Sequence, residues 1–111
     1  VVLADVVGFD DPTCDTFLNT IELLRDPSHV RDYTPREWLG FFARAGLRAQ
    51  VAYTWDLFID LASWTERMAT PPHYVTAIHH LLAGATTEQR TAMKLGPGSF
   101  HFSCAILVGE G

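Results

Sequence analysis

The chain opens on Val1 to Val7 (VVLADVV), a run that is almost continuously apolar and rich in β-branched residues. This is the pattern of a strand covered on both faces in a largely parallel sheet, since a strand with one wet face alternates instead. Such a strand needs neighbouring strands and helices on both faces, so the chain is restricted to layered α/β folds. A length of 111 residues holds one core, and residues 1–111 are expected to form a single domain. Beginning at Val1 in the middle of an apolar run, the chain reads as part of something larger.

The remaining elements follow from periodicity and punctuation. Gly8 and Asp10-Asp11-Pro12 break the strand, and Thr13 to Arg25 carries Phe17, Ile21 and Leu24 at helical spacing, broadened by Leu18 and Leu23. Asp26 to Tyr33 has a proline and mixed charges without period, and reads as a loop. Thr34-Pro35-Arg36-Glu37 is a capping box with Pro at the first helical position. Trp38, Phe41, Phe42 and Ala45 continue that helix, and Gly46 supplies a left-handed stop. Leu47, Ala49, Val51, Tyr53 and Trp55 then alternate with more polar residues, predicting a half-buried strand that ends near Asp56.

Residues 60–98 are expected to form a helical insertion over the ligand rim. Asp60 caps a short helix with Leu61, Trp64 and Met68 inward; Thr70-Pro71-Pro72 opens a second with Val75, Ile78, Leu81 and Leu82 inward, ending near Gly84. Thr86 to Gln89 is another capping box, for a helix reaching about Leu95. After the turn Gly96-Pro97-Gly98, Phe100 to Val108 is apolar on both faces and reads as a well-covered last strand. Strand, helix, helix, strand, three helices and strand make a doubly wound arrangement whose first strand lacks a neighbour.

Composition removes several function classes. The net charge is −5 with the basic residues scattered, which disfavours a nucleic-acid partner. The apolar runs fall far short of the roughly 20 residues that cross a bilayer as a helix, so no membrane partner is expected. Cys14 and Cys104 show no metal-type spacing with histidine and no signal-peptide pattern precedes them; buried, reduced thiols in a cytoplasmic setting are the plainer reading, although separation alone leaves a disulfide open. His79 and His80 are adjacent on a helix and project about 100° apart, which is wrong for a shared metal. Dinucleotide, P-loop and nucleophile-elbow motifs are absent.

In doubly wound sheets ligands sit beyond the carboxyl ends of the parallel strands. The first strand delivers Gly8 to Asp11 to that rim, and a helix returning antiparallel brings the His29 to Tyr33 loop to the same place. Asp10 and Asp11 read as helix caps and dipole partners rather than as an acid/base pair. His29 and Arg31 suit an anionic or hydroxylated substrate, and equally suit a surface turn held by Asp26 and Asp32. Trp38, Trp55 and Trp64 fall on apolar stripes and read as core anchors.

These residues resemble a known pattern. Leu3-Ala4-Asp5-Val6-Val7 followed by Asp11-Pro12, then Leu24-Arg25-Asp26-Pro27-Ser28-His29-Val30-Arg31, the Tyr33-Thr34-x-x-Glu37-Trp38 start and the Ala45-Gly46-Leu47 stop carry the likeness. Together with Trp64-Thr65-Glu66-Arg67 and the Phe102 to Val108 strand, they resemble the carboxyl-terminal half of a class I S-adenosylmethionine-dependent methyltransferase. The branch is the small-molecule, type 11 one, similar to ubiquinone/menaquinone biosynthesis enzymes. The Arg-Asp-Pro-Ser-His-Val-Arg run is its most specific part.

The resemblance implies a partial Rossmann-like α/β sheet made of the last three strands, the final one inserted antiparallel between the other two. It places the cofactor residues before Val1, so S-adenosylmethionine is expected to be bound by the complete protein and none of it by this chain. His29, Arg31, Asp5, Trp64 and Arg67 are the substrate-side candidates, with a small-molecule methyl acceptor as partner, and the chain alone is expected to be inactive. The alternative expectation is a stand-alone, non-catalytic domain that forms a homodimer through the open strand Val1 to Val7.

Overall fold

The computed structural model describes residues 1–111. In chain order the elements are β1 (Val2–Val7), α1 (Pro12–Arg25), α2 (Pro35–Arg44), β2 (Arg48–Asp60), α3 (Leu61–Arg67), α4 (Pro72–Ala83), α5 (Thr87–Met93) and β3 (Ser99–Glu110). The sheet order is β1-β3-β2, with β3 antiparallel to both neighbours. The last strand is therefore inserted between the first two, as expected, and β1 and β2 run in the same direction.

β3 takes the centre because it is apolar on both sides. Phe100, Phe102 and Cys104 point to one face, where Phe17, Leu18 and Ile21 of α1, Trp64 of α3, Ile78 of α4 and Met93 of α5 enclose them. Ala105 and Leu107 point to the other face and meet Val7 and Phe42, with Trp38 and Leu39 of α2 packed alongside. Helices thus cover both faces of the sheet. Burying each such large side chain contributes about 1.5–3 kcal/mol. Trp64 packs edge-on against both Phe100 and Phe102, at ring separations of 5.2 and 5.7 Å.

Local chemistry starts and stops these elements. Asp11 accepts from the amides of Thr13 and Cys14 at the start of α1, and Asp60 accepts from the Ser63 amide at the start of α3. Both capping boxes are formed, by Thr34 with Glu37 and by Thr86 with Gln89. Gly46 adopts a φ of 82°, the left-handed stop after α2. Each cap satisfies amides that the first helical turn leaves unpaired.

Four details differ from the sequence expectation. β1 is not covered on both faces, since Val2 is 70% exposed, although its other edge is open as expected because the strand pairs with β3 only. β2 does not keep one apolar face. Val51 pairs with Leu107 and Tyr53 with Ile106, so Ala52 is a bulge residue that reverses the alternation. Ala49 and Val51 share the α2 face, whereas Tyr53 and Trp55 turn to the opposite one, where Tyr53 remains 62% exposed. β2 also continues to Asp60 rather than ending near Asp56, because Leu57 to Asp60 find partners on the long β3. Met68 lies beyond the last turn of α3 and is 42% exposed.

Cys14 and Cys104 are free and buried, and burial pushes both thiols up, away from the reactive thiolate. No helix is long and apolar enough to cross a membrane.

Candidate functional site

The carboxyl end of β1 is tied to the loop before α2 by backbone contacts. Gly8 donates its amide to the Tyr33 carbonyl at 3.0 Å, and the Phe9 amide donates to Asp15 Oδ1 at 3.0 Å. The approach leaves no space for a side chain: a Cβ on Gly8 would stand 2.3 Å from Asp15 Oδ1 and 2.6 Å from the Asp32 carbonyl oxygen. The glycine is required here by close packing rather than by its backbone angles.

The loop itself is turned by Asp26. Its Oδ1 accepts from the Ser28 amide at 3.0 Å and the Ser28 hydroxyl at 2.7 Å, while its carbonyl accepts from the His29 amide at 3.0 Å. This Asx-type turn directs His29 back onto α1. There Asn19 Oδ1 accepts from the Asp32 amide at 2.8 Å, which can only donate, so the oxygen of the Asn19 amide must face the loop. Its nitrogen donates to the Asp15 carbonyl at 2.9 Å. His29 Nε2, 3.0 Å from the same Asn19 oxygen, must therefore carry a proton and donate it.

Arg31 forms the outer link. Its Nη2 donates to Asp15 Oδ2 and to Glu37 Oε1, both at 3.1 Å, joining α1 to α2 across the end of β1. Glu37 Oε1 also accepts from the Thr34 amide at 3.1 Å, so one carboxylate closes the capping box and receives the guanidinium. The Arg31 side chain remains 44% exposed.

Behind this rim the electrostatics change character. Asp32 is pushed up to about 7 by burial first, and then by the charges of Asp5 and Asp15. Its Oδ2 has no hydrogen-bond partner, nor does the buried Glu22 Oε2. Burial lowers His29, with Asp26 opposing it.

In front of the rim lies an open cleft of about 490 Å³, lined by Phe9, Asp10, Asp15, Arg31, Arg36 and Glu37 among others. Two guanidinium groups and three carboxylates, with Phe9 as the one large apolar side chain, suit a small, polar, hydrogen-bonding molecule.

The structure brings His29 and Arg31 to the end of β1, and Asp5 stands on β1 close enough for its charge to act on Asp32. Trp64 is elsewhere: it is 2% exposed within the core, with the Arg25 guanidinium 4.6 Å from its ring. Arg67 is exposed at the end of α3, where its charge acts on Arg25 rather than on the rim. Asp15, Asn19 and Glu22 are residues of the candidate site that sequence reasoning passed over, and Asp32, read there only as holding the turn, joins them. The signal was present in α1, where Asp15, Asn19 and Glu22 stand at i, i+4 and i+7 beside the apolar stripe.

No family model matches the chain. It is 38% identical over 108 residues to the uncharacterized protein YafE of Escherichia coli, covering 97% of this chain and 52% of that protein. It is 37% identical over 89 residues to the uncharacterized methyltransferase YcgJ of Bacillus subtilis, covering 80% of this chain and 35% of YcgJ. The crystal structure of YcgJ superimposes with a TM-score of 0.95 at 33% identity, over 99% of this chain and 51% of that one. A candidate methyltransferase of Bacillus halodurans matches with a TM-score of 0.89 at 21% identity, a likeness of fold, over 97% of this chain and 53% of that one. The sheet order and these matches define a partial Rossmann-like methyltransferase fold. The chain is a methyltransferase relative that matches the carboxyl-terminal part of that fold, and it spans about half the length of YafE.

Proposed function

We propose that this chain is the substrate-side portion of an S-adenosylmethionine-dependent methyltransferase acting on a small molecule, and that it transfers no methyl group by itself. The observation that carries this reading is the position of the charged cleft just beyond the carboxyl end of β1, a strand whose other edge is open. A parallel strand added on that edge would end at the same rim, which is where doubly wound sheets bind ligands. The YcgJ chain has nearly as much again to contribute such strands.

The residues present do not fit the cofactor. The cleft is open and charged, with Phe9 its only large apolar wall, and offers no slot for a nucleoside. In this reading the cofactor is held by another part of the protein. Methyl transfer to an oxygen, nitrogen or carbon is a displacement in which the protein chiefly positions the nucleophile. Arg31 and Arg36 suit an anionic or hydroxylated acceptor, and Asp10 can take a hydrogen bond from it. The two separately buried, unpaired thiols support a reducing, cytoplasmic setting.

Calorimetric titration of S-adenosylmethionine tests the reading. The 111 residues alone are expected to give no binding in the micromolar range, and a protein that also contains the amino-terminal half is expected to bind. Micromolar binding by the 111 residues alone would overturn it. A second copy could also occupy the open edge of β1, making a homodimer. Light scattering of the longer protein separates the two occupants: a monomer supports strand pairing within one chain, and a dimer that is lost on substituting Val2 by lysine supports the second copy.

A further inference from the structure

We infer that Glu22, His29 and Asp32 form a site for a single divalent transition-metal cation that ties α1 to the loop preceding α2. One ligand atom from each residue lies within 4.8 Å of the other two. Glu22 Oε2 is 3.8 Å and Asp32 Oδ2 4.0 Å from His29 Nε2. Bound to zinc at about 2.0–2.2 Å each, such atoms would stand roughly 3.4 Å apart, so closure needs a contraction of about half an ångström at the histidine and at most ~1.4 Å between the carboxylates.

The second observation is independent of that spacing. Asp32 is 8% exposed, and its Oδ2 faces the other two residues with no donor. Glu22 Oε2 is likewise buried without a partner. The imidazole does not repair this, because its Nε2 proton is directed at Asn19 Oδ1 and both carboxylate oxygens lie beyond hydrogen-bond reach of Nε2. The guanidinium nearest in sequence, Arg31, is engaged by Asp15 and Glu37. Two buried carboxylate oxygens without a cation or donor are costly in a protein interior, and a proton on Asp32 relieves that only in part. A divalent cation removes that cost.

On binding, the imidazole would move its proton from Nε2 to Nδ1 and stay neutral, and Asn19 Oδ1 would remain beside Nε2 as a fourth donor. Imidazole and carboxylate together favour zinc or a neighbouring transition metal over magnesium or calcium, which prefer oxygen alone. The cluster lies behind the rim and not in the cleft, so the ion would be structural.

The test is calorimetric titration of Zn²⁺, and separately of Mg²⁺, into the EDTA-stripped intact protein. Saturable Zn²⁺ binding is expected at a single site, with Mg²⁺ far weaker. Asp32→Asn and Glu22→Gln, checked for native circular dichroism, should each weaken Zn²⁺ by about 10–100-fold. The exposed pair His79→Asn/His80→Asn should leave it unchanged. Absence of a saturable site, or binding that persists undiminished in both carboxylate variants, overturns the proposal.

Discussion

The side-chain oxygen of Asn19, on α1, accepts the backbone N–H of Asp32 at 2.8 Å. Through this bond a helix residue fixes the loop that carries His29 and Arg31, because the same oxygen accepts from His29 while the amide nitrogen is held by Asp15. Replacing Asn19 by Ala leaves the Asp32 amide and the His29 donor unpaired in a half-buried place. A loss of about 1–3 kcal/mol is expected. Urea unfolding checks it, and amide exchange at Asp32 should accelerate in the same variant.

Gly8 sits where β1 meets that loop. An alanine there would drive its Cβ into Asp15 Oδ1 and the Asp32 carbonyl, and the second of these is backbone that cannot swing aside. Gly8→Ala should destabilise the chain by about 1–3 kcal/mol, the usual cost of overpacking. A denaturant midpoint equal to that of the parent would contradict the close approach.

The exposed helix caps set the acid limb of the stability curve. Asp11 lies below its ordinary value of 3.8 chiefly through the Thr13 hydroxyl, and Asp26 chiefly through the Ser28 hydroxyl. Asp60 is lowered chiefly by the Ser63 amide. A carboxylate lowered in the folded state contributes fully above its unfolded value and loses that contribution as pH falls through the folded one. The melting temperature should therefore drop as pH falls below 3.8, and Asp11→Ala or Asp60→Ala should flatten that limb. Differential scanning calorimetry below pH 3.8 reads it, clear of Asp32, whose raised value of about 7 acts with the opposite sign between 7 and 3.8.

The aromatic residues of β2 and α3 should behave in opposite ways. Trp64 is 2% exposed against Phe100 and Phe102, and Trp64→Ala should cost about 3–5 kcal/mol. Tyr53 and Phe58 are 62% and 59% exposed, and Tyr53→Ser or Phe58→Ser should change stability by no more than about 0.5 kcal/mol. Thermal melts of these single variants discriminate between the buried aromatic of α3 and the exposed aromatics of β2.

Much of this arrangement was legible without coordinates because it is encoded locally. Thr34 with Glu37, Thr86 with Gln89 and Asp60 each place a hydrogen-bonding side chain at the spacing a helix start needs, and each forms the expected cap. The two-sided apolarity of β3 likewise marks it as a well-covered strand, whereas its place between β1 and β2 followed from the resemblance. The candidate site was legible only in part. His29 and Arg31 were visible in a charged loop, but their partners Asp15, Asn19 and Glu22 looked like an ordinary polar helix flank. Trp64 reads as a core anchor from its apolar stripe and is one, against Phe100 and Phe102 of a distant strand; only the resemblance implies a substrate-side place for it.

The sequence by itself determined which segments are helices and strands, where the helices begin, and that the last strand is buried on both faces. These follow from hydrogen-bonding and periodicity over a few residues. Only the tertiary structure decided that Ala52 bulges and turns Tyr53 outward, that β1 leaves Val2 exposed, and that Glu22, His29 and Asp32 converge behind the rim. Each depends on atoms brought together from separate segments, and pairing register, exposure and buried charge are properties of that assembly rather than of any short stretch of chain.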